Sequence, residues 1–195
     1  MNLQTRVINI LSKPAQEWPV IASESTDVPA LYKEYIIPLA AIPAICGFLG
    51  MTLIGVTVPF MGQIRTPLVS GLAGLIVGYV LALVGIFLAA FIVDKLAPSF
   101  QSSGGIVQAL KMVAFASTPS WVAGVLQLVP LLGALALLAA LYGIYLFYVG
   151  LPSVMKTPAD KVIPYMVVSA VVIIVISVVT ASISGVFMGA SRIMF

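Results

Sequence analysis

The sequence predicts an all-α integral membrane protein, a bundle of five transmembrane helices with a cytoplasmic N-terminus and an external C-terminus. Three observations lead to this fold class. Hydrophobic residues make up 62% of the 195 residues, charged residues make up only 8%, and the mean hydropathy is +1.20. The few charges are separated by long uncharged runs, and Lys and Arg are unequally divided between alternate loops. Because soluble domains carry about 25% charged residues, water is not the solvent of most of this chain.

The longest uncharged run is the 44 residues between Lys111 and Lys156. One transmembrane helix needs about 20 apolar residues, so this run predicts two spans rather than one. A proline and a glycine, Pro130 and Gly133, bracket a turn near its middle. The run is therefore predicted to be a tight helical hairpin inside the bilayer. Its two spans are placed at about 112–129 and 131–154.

Three further uncharged runs complete the predicted five-helix transmembrane domain, residues 35–195. Each run is long enough to cross a bilayer, and the prolines of the first are expected to kink it where neighbouring helices cover the freed carbonyls. Residues 59–67 are rich in Pro and Gly and predict a short loop between the first two spans. The three spans are placed at about 35–58, 68–92 and 162–191.

The N-terminal segment, residues 1–34, is predicted to be cytoplasmic and to contain a short amphipathic helix. Within residues 2–13 apolar side chains recur at helical spacing and polar ones occupy the other positions. This pattern favours a helix on the membrane surface, ended by Pro14, with Trp18 at the level of the headgroups. A partly ordered tail is the alternative, because a helix this short is marginal in water.

Lys and Arg predict the orientation of the bundle. With five spans, one side of the membrane holds seven of these nine residues and the other side holds two. The positive-inside rule then places the N-terminus in the cytoplasm and the C-terminus outside.

Small residues form a strip along one face of the second span, alternately three and four residues apart. The strip consists of Gly71, Gly74, Gly78, Ala82, Gly85 and Ala89. In lipid, small residues let helix backbones approach and gain van der Waals contact. We expect the strip to pack against another span of the same chain, and a homodimer face is the alternative. Gly185 and Gly189 give the last span a similar face.

The segment Ser117 to Trp121, Ser-Thr-Pro-Ser-Trp, is expected to interrupt the third span. One interpretation is an irregular, hydroxyl-bearing segment that lines a watery cavity, as in the broken helices of transporters. The other is a simple kink whose free carbonyl is met by a nearby hydroxyl. In the fourth span, Tyr142 lies about 15 Å inside Pro152, so its hydroxyl needs a protein partner or water.

Six residues are candidates for a polar or binding site: Asp94, Lys95, Lys111, Thr118, Trp121 and Tyr142. The predicted topology gathers the first three on the cytoplasmic side. An aspartate at the C-terminal end of a helix opposes the helix dipole, so Asp94 is expected to have a cationic partner. A structural ion pair is preferred there to a ligand site.

Composition excludes several classes of function. The chain has no His and a single cysteine, Cys46, so neither a disulfide within the chain nor His-based catalysis or zinc chemistry is expected. The basic residues are scattered singly and predict no nucleic-acid surface. A Ser-Lys hydrolase would need Lys111 beside Ser117, which lies six residues on and faces another side of the helix. No enzyme activity, metal or cofactor is therefore predicted.

Several segments, taken in order, resemble bacterial members of the Yip family of Ypt/Rab-interacting membrane proteins. They are Leu11-Ser12-Lys13-Pro14 with Glu17-Trp18, the run from Tyr35 to Pro43, Ser117-Thr118-Pro119, and Leu141 to Tyr145 with Gly150-Leu151-Pro152. The resemblance implies five spans with a cytoplasmic N-terminus, in the bacterial inner membrane. Eukaryotic members engage Rab-type GTPases, but this chain lacks their Asp-Leu-Tyr-Gly-Pro motif and long N-terminal region. A Rab-type partner is therefore not expected.

Two functions from different classes follow from these observations. The first is a non-enzymatic membrane scaffold or adaptor, which contacts membrane lipids and either another membrane protein or a second copy through its small-residue faces. The alternative is a transporter or channel for a small molecule or lipid, with a polar site between broken helices. Ionisable groups inside the membrane would favour transport, and the predicted span cores contain none.

Overall fold

The computed structural model describes residues 2–58, 60, 62–175 and 178, and these are helical over most of their length. The α-helices are α1 (Leu3–Ser12), α2 (Pro14–Ser23), α3 (Val28–Leu31), α4 (Ile37–Leu49), α5 (Leu68–Leu96), α6 (Gly105–Ala123) and α7 (Ala136–Val154). Residues 162–175 are also helical. Tighter or wider helical turns extend these elements at Tyr32–Ile36, Gly50–Ile54, Ala97–Phe100, Gly124–Leu128, Pro130–Leu135 and Ala159–Lys161.

Four helical segments of the described chain are long and apolar enough to cross a membrane. They are Val28–Ile54, Leu68–Phe100, Gly105–Leu128 and Pro130–Val154. The prediction of a membrane-embedded helical bundle is thereby confirmed, whereas half of the fifth predicted span, 162–191, lies outside the described residues. The turn predicted around Pro130 is built from two 3-10 segments, Gly124–Leu128 and Pro130–Leu135, which join α6 to α7.

One element departs from an all-helical architecture. Between α4 and α5 the chain forms a hairpin of two short antiparallel strands, β1 (Val56–Val58) and β2 (Gly62–Ile64), in which Val56 lies opposite Ile64. The sequence predicts a loop here because residues 59–67 are rich in Pro and Gly. A strand of only three residues is too short to show an alternating pattern against that composition. The pairing satisfies backbone groups that a loop at the membrane boundary would otherwise leave to water.

The centre of the bundle is α6. Its residues 109–116 are all buried, and α4, α5 and α7 surround it. By contrast, α5 exposes large apolar side chains at every turn, at Leu72, Ile76, Val80, Val84 and Leu88. Their spacing of four residues makes one continuous face of α5, which lipid tails would cover in a bilayer.

A glycine allows the first and third spans to cross closely. A Cβ added at Gly124 would lie 2.6 Å from the Cβ of Pro43 and 2.9 Å from its backbone nitrogen. Small residues permit such close helix crossings in membranes, where burial of apolar surface does not drive helices together.

The two N-terminal helices lie against the bundle, which corrects the expectation that Trp18 sits among the headgroups. Pro14 is the first residue of α2 rather than only the end of α1, a position where its missing N–H costs nothing. Trp18 is fully buried, and its ring packs edge-on against Phe115 of α6 at a centroid distance of 6.2 Å. We call α1 and α2 together the N-terminal hairpin.

The N-terminal hairpin follows α7 over more than half of that helix. At one end the hydroxyl of Tyr142 meets α1, and near the other end the ring of Trp18 comes close to Gly150. Ala22 and Val154 then line the same cavity. Tyr142 and Val154 are separated by about 18 Å along the helix, at 1.5 Å per residue. The hairpin is thus a packed part of the fold rather than a free tail.

Candidate functional site

Four charged residues and one amide, three of them buried, form a group at the junction of the N-terminal hairpin and α6. We call Arg6, Asn9, Glu17, Glu24 and Lys111 the polar cluster. The Arg6 guanidinium donates to the carboxylates of both Glu17 and Glu24. The side-chain amide of Asn9 donates to the other oxygen of Glu17 at 3.1 Å. Both oxygens of the Glu17 carboxylate are therefore hydrogen-bonded.

Lys111 joins the hairpin to the bundle. Its Nζ donates to the backbone carbonyls of Ile21, at 2.8 Å, and Glu24, at 2.6 Å. These carbonyls belong to the last turn of α2 and its C-cap, where a helix has no internal partners for its C=O groups and where a cation is favoured. Lys111 is only 2% exposed, so this contact occurs away from water.

The polar cluster is balanced in charge and nearly closed to solvent. The positive charges of Arg6 and Lys111 match the negative charges of Glu17 and Glu24. The side chains of Arg6 and Glu17 are 7% and 8% exposed, while that of Glu24 is 44% exposed. Burying an isolated charge costs several kcal/mol. Here Arg6 and Glu17 offset this cost by pairing, and Lys111 offsets it by hydrogen bonds to two carbonyls at the C-terminal end of α2. The geometry suits a structural joint and provides no free nucleophile or base.

A second buried contact uses two further candidate residues. The hydroxyls of Tyr35 and Thr118 lie 2.7 Å apart, and Thr118 is completely buried. The Tyr35 ring also lies 4.2 Å from the ring of Phe115 and 6.3 Å from that of Trp121, measured between centroids. Thr118 and Trp121 are thus brought together, as a packing contact between the first and third spans.

The predicted interruption at Ser117 to Trp121 is wrong as a description of the backbone. α6 continues through Pro119 to Ala123. Ser117 donates its hydroxyl to the carbonyl of Val113 at 2.8 Å, one helical turn back. The helix keeps its path because its neighbours enclose it on nearly all sides, and hydroxyls bonded to the preceding turn are compatible with an intact helix.

Tyr142 has the protein partner that its depth requires. Its hydroxyl donates to the carbonyl of Leu11 at 2.7 Å. That carbonyl lies in the last turn of α1, where backbone acceptors lack helical partners. Tyr142 therefore supports the tip of the N-terminal hairpin from α7.

The two other candidates are not drawn into the polar cluster. Among the described residues Asp94 makes no ion pair, although the Tyr165 hydroxyl donates to the neighbouring carbonyl of Val93. Lys95 is exposed, and its Nζ lies 5.3 Å from the centroid of the Phe91 ring. The structure thus separates Lys111 from Asp94 and Lys95, because Lys111 turns towards α2.

Sequence reasoning did not assign site roles to Arg6, Glu17 and Glu24, which look like solvated charges in a polar N-terminal segment. A signal was nevertheless present. Glu17 and Trp18 adjoin each other on α2, so a helix that buries the indole also brings the carboxylate close to the same interface, and both are buried. A proline at the start of α2 also permits a second helix directly after α1.

The whole-chain comparisons agree with this architecture. The Yip1 domain matches residues 8–181. The chain belongs to the Yip1 domain family. Two curated relatives are the inner membrane protein YohC of Escherichia coli strain K12 and that of E. coli O6:H1 strain CFT073. Each is 26% identical over 160 residues, which cover 80% of this chain and 82% of the relative. No solved structure gives a significant match.

This Yip1-domain chain is a multi-pass inner membrane protein, which confirms the predicted family and location. The matched residues include Glu17, Trp18 and Lys111, whereas Arg6 lies two positions before the match begins. The joint between the N-terminal hairpin and the bundle is therefore built mostly within the family domain.

Proposed function

We propose that this Yip1-domain protein is a non-enzymatic scaffold or adaptor of the inner membrane. The observation that supports it is the use of the buried charges: in the described chain, Arg6 and Glu17 tie α1 to α2, and Lys111 of α6 donates to carbonyls at the end of α2. These contacts hold the N-terminal hairpin together and fix it to the bundle. Burying these charges carries a desolvation cost, and here the charges serve to fix the position of the N-terminal hairpin. A protein of this kind is suited to presenting a fixed surface to a partner.

The transport alternative lacks a comparable supporting observation. A transporter needs polar groups that face a cavity near the middle of the membrane. The hydroxyl of Thr118 is instead hydrogen-bonded to that of Tyr35, and the hydroxyl of Tyr142 donates to the carbonyl of Leu11. The groove between α4 and α5 is lined almost entirely by apolar atoms. A polar substrate that entered it would lose its hydrogen bonds to water without gaining others.

The same groove is the surface that we assign to a partner. It has a volume of about 350 Å³ and includes Gly74, Gly78 and Ala82 of the small-residue strip. Gly71, also in the strip, packs internally, since a Cβ there would lie 2.9 Å from Thr52 Cγ2. Among the described residues, a Cβ at Gly78 would meet nothing within 4 Å. In that part of the chain the strip is thus packed at Gly71 and at Ala89, which is 3% exposed, and is open at Gly78 between them.

We assign a transmembrane helix of another membrane protein as the occupant of this groove. Small residues on one helix let a second backbone approach closely, and in lipid this contact is a main source of helix association. A lipid tail needs no such close backbone approach. A partner of this kind also requires neither a Rab-type GTPase nor a nucleic acid.

Replacing Gly78 with Leu is expected to remove this partner. The full chain, extracted with its native lipid, should copurify with one membrane protein in fixed proportion. Gly78→Leu should reduce the recovered partner by about tenfold or more, equivalent to about 1.4 kcal/mol, because the new side chain fills the groove. Mass spectrometry of the copurified proteins measures this ratio.

Val80→Leu is the matched control, since Val80 is 51% exposed on the neighbouring lipid-facing surface. It should leave partner recovery unchanged. The scaffold proposal is overturned if no protein copurifies in fixed proportion, or if Gly78→Leu and Val80→Leu behave alike. Recovery of a second copy of the chain in place of another protein would overturn the assigned occupant.

We further propose five spans with the N-terminus in the cytoplasm and the C-terminus outside. The support is the unequal distribution of Lys and Arg and the long uncharged run of 162–191. A reporter that is active only outside the cytoplasm, fused after Phe195, should be active. Activity of a cytoplasm-specific reporter at the same position would contradict the five-span topology.

A further inference from the structure

A cavity of about 470 Å³ lies where α2, the start of α6 and the end of α7 meet. Its wall includes Ser23 from α2, Gln108 from α6, and Ser153 and Lys156 from the end of α7. It lies beyond the polar cluster, and none of the cluster's side chains lines it. The scaffold proposal does not use this cavity.

The cavity wall carries one positive charge and no negative one. Lys156 is exposed, and within the described part of the chain its ammonium makes no ion pair. Ser153 adds a hydroxyl to the same wall, whereas the Ser23 hydroxyl already donates to the carbonyl of Val20 at 2.9 Å. A cation beside a hydroxyl donor, with no carboxylate in the wall, favours an anion with acceptor oxygens.

The backbone at Lys156 is held in an unusual conformation. Its φ of +53° is left-handed, which is uncommon for a residue with a side chain. The residue lies two positions after the end of α7, and its neighbour Thr157 is buried and accepts a hydrogen bond from the Ser102 hydroxyl at 2.9 Å. The contacts on either side of Lys156 thus fix where its side chain starts, at the edge of the cavity.

Gln108 is the least satisfied polar group of the wall. Its Nε2 makes one long hydrogen bond, 3.5 Å to the carbonyl of Ala22, and its buried Oε1 has no partner among the described residues. A buried amide oxygen without a donor is unfavourable. An amide held this weakly can turn, and a ligand with a hydrogen-bond donor would satisfy it.

The ends of two candidate spans put the cavity near the expected boundary of a bilayer. The candidate spans Gly105–Leu128 and Pro130–Val154 begin and end beside it, so its wall lies within about one helical turn of the membrane boundary. Phospholipid headgroups at this level carry a phosphate, which Lys156 can bind, and hydrogen-bond donors, which Gln108 Oε1 can accept.

We propose that this cavity binds a phosphate-bearing headgroup or compound, with Lys156 as the charged contact of the phosphate, Ser153 as its hydroxyl donor, and Gln108 as the acceptor for a donor group elsewhere on the ligand. The phosphate of a phospholipid headgroup and that of a soluble compound share this chemistry. The position at the membrane boundary favours the lipid source, and the experiment distinguishes the two.

The test uses the purified full chain in detergent, with native mass spectrometry as the readout. The probes are short-chain phosphatidylglycerol and phosphatidylethanolamine, diacylglycerol as a lipid without phosphate, and inorganic phosphate. Lys156→Gln should weaken binding of the two phospholipids about tenfold, as expected for the loss of one charged hydrogen bond. Lys161→Gln is the matched control, because Lys161 carries the same charge nearby but pairs with Asp160 at 3.5 Å.

The outcomes separate clearly once thermal unfolding has shown that both variants remain folded. Phospholipid binding that depends on Lys156, without binding of inorganic phosphate, supports the headgroup. Binding of inorganic phosphate that depends on Lys156 supports the phosphate site and assigns it to a soluble ligand. The proposal is overturned if diacylglycerol binds as well as the phospholipids, or if Lys156→Gln and Lys161→Gln bind every probe equally.

Discussion

Arg6→Met is expected to lower the free energy of unfolding by about 3–5 kcal/mol, the cost of leaving a buried charge without its partner. The variant removes the guanidinium that pairs with both Glu17 and Glu24, and Glu17 is almost wholly buried. Met keeps most of the side-chain volume, so the loss reports charge pairing rather than a cavity. Unfolding by SDS in mixed micelles measures the free energy.

Two further variants separate pairing from general damage. Lys13→Met removes an exposed positive charge at the junction of α1 and α2 and should change stability by less than about 0.5 kcal/mol. Replacing Arg6 and Glu17 together with Met should recover part of the loss, since a buried ion pair and an apolar pair of similar volume are often equally stable. If Arg6→Met lowers the free energy of unfolding no more than Lys13→Met does, Arg6 is not paired inside the protein.

Trp18→Ala is expected to destabilise the protein by about 3–5 kcal/mol, the usual cost of truncating a buried aromatic residue. The indole is fully buried between α6 and α7, against Phe115 and close to Gly150. Ile8→Ala is the control, because Ile8 is 55% exposed on α1 and its truncation leaves no cavity. The same SDS titration compares the two variants.

A Trp18 at the membrane surface would give a different result. Its truncation would then weaken membrane contact but leave the unfolding of the bundle unchanged. Equal effects of Trp18→Ala and Ile8→Ala would therefore contradict the packed position of the hairpin.

Much of the fold can be predicted from the sequence because the bilayer imposes a length on apolar segments. The uncharged run from Lys111 to Lys156 could be divided into two spans by length alone, and the structure places its turn on both sides of Val129. The depth of Tyr142 likewise predicts a hydrogen-bond partner for its hydroxyl, and the carbonyl of Leu11 is that partner.

The site was harder to predict because its contacts are long-range. Lys111 donates to carbonyls about 90 positions earlier in the chain. Every residue has a backbone carbonyl, so the sequence does not indicate which of them will accept a hydrogen bond. Pro119 was expected to break a helix that tertiary packing keeps continuous. Arg6 and Glu17 belong to a polar segment whose composition suggests a surface, and only the packed hairpin makes them interior.

The most direct test of the packed N-terminal hairpin is a double-mutant cycle between Trp18 on α2 and Gly150 on α7. A Cβ added at Gly150 would lie 2.7 Å from Trp18 Cε2 and 2.7 Å from Met112 Cε. Gly150→Ala should therefore destabilise the protein by about 1–3 kcal/mol through overpacking. In a Trp18→Ala background the indole is gone, and most of this cost should disappear.

Gly78→Ala provides the reference for the cycle, since its Cβ meets nothing within 4 Å and its effect should add to that of Trp18→Ala within about 0.5 kcal/mol. The measured quantity is the coupling free energy from SDS unfolding of the four proteins in the Trp18 and Gly150 cycle. A coupling of at least about 1 kcal/mol is the predicted result. A Gly150→Ala cost that is the same with and without the Trp18 indole would contradict the packing of the N-terminal hairpin on the bundle.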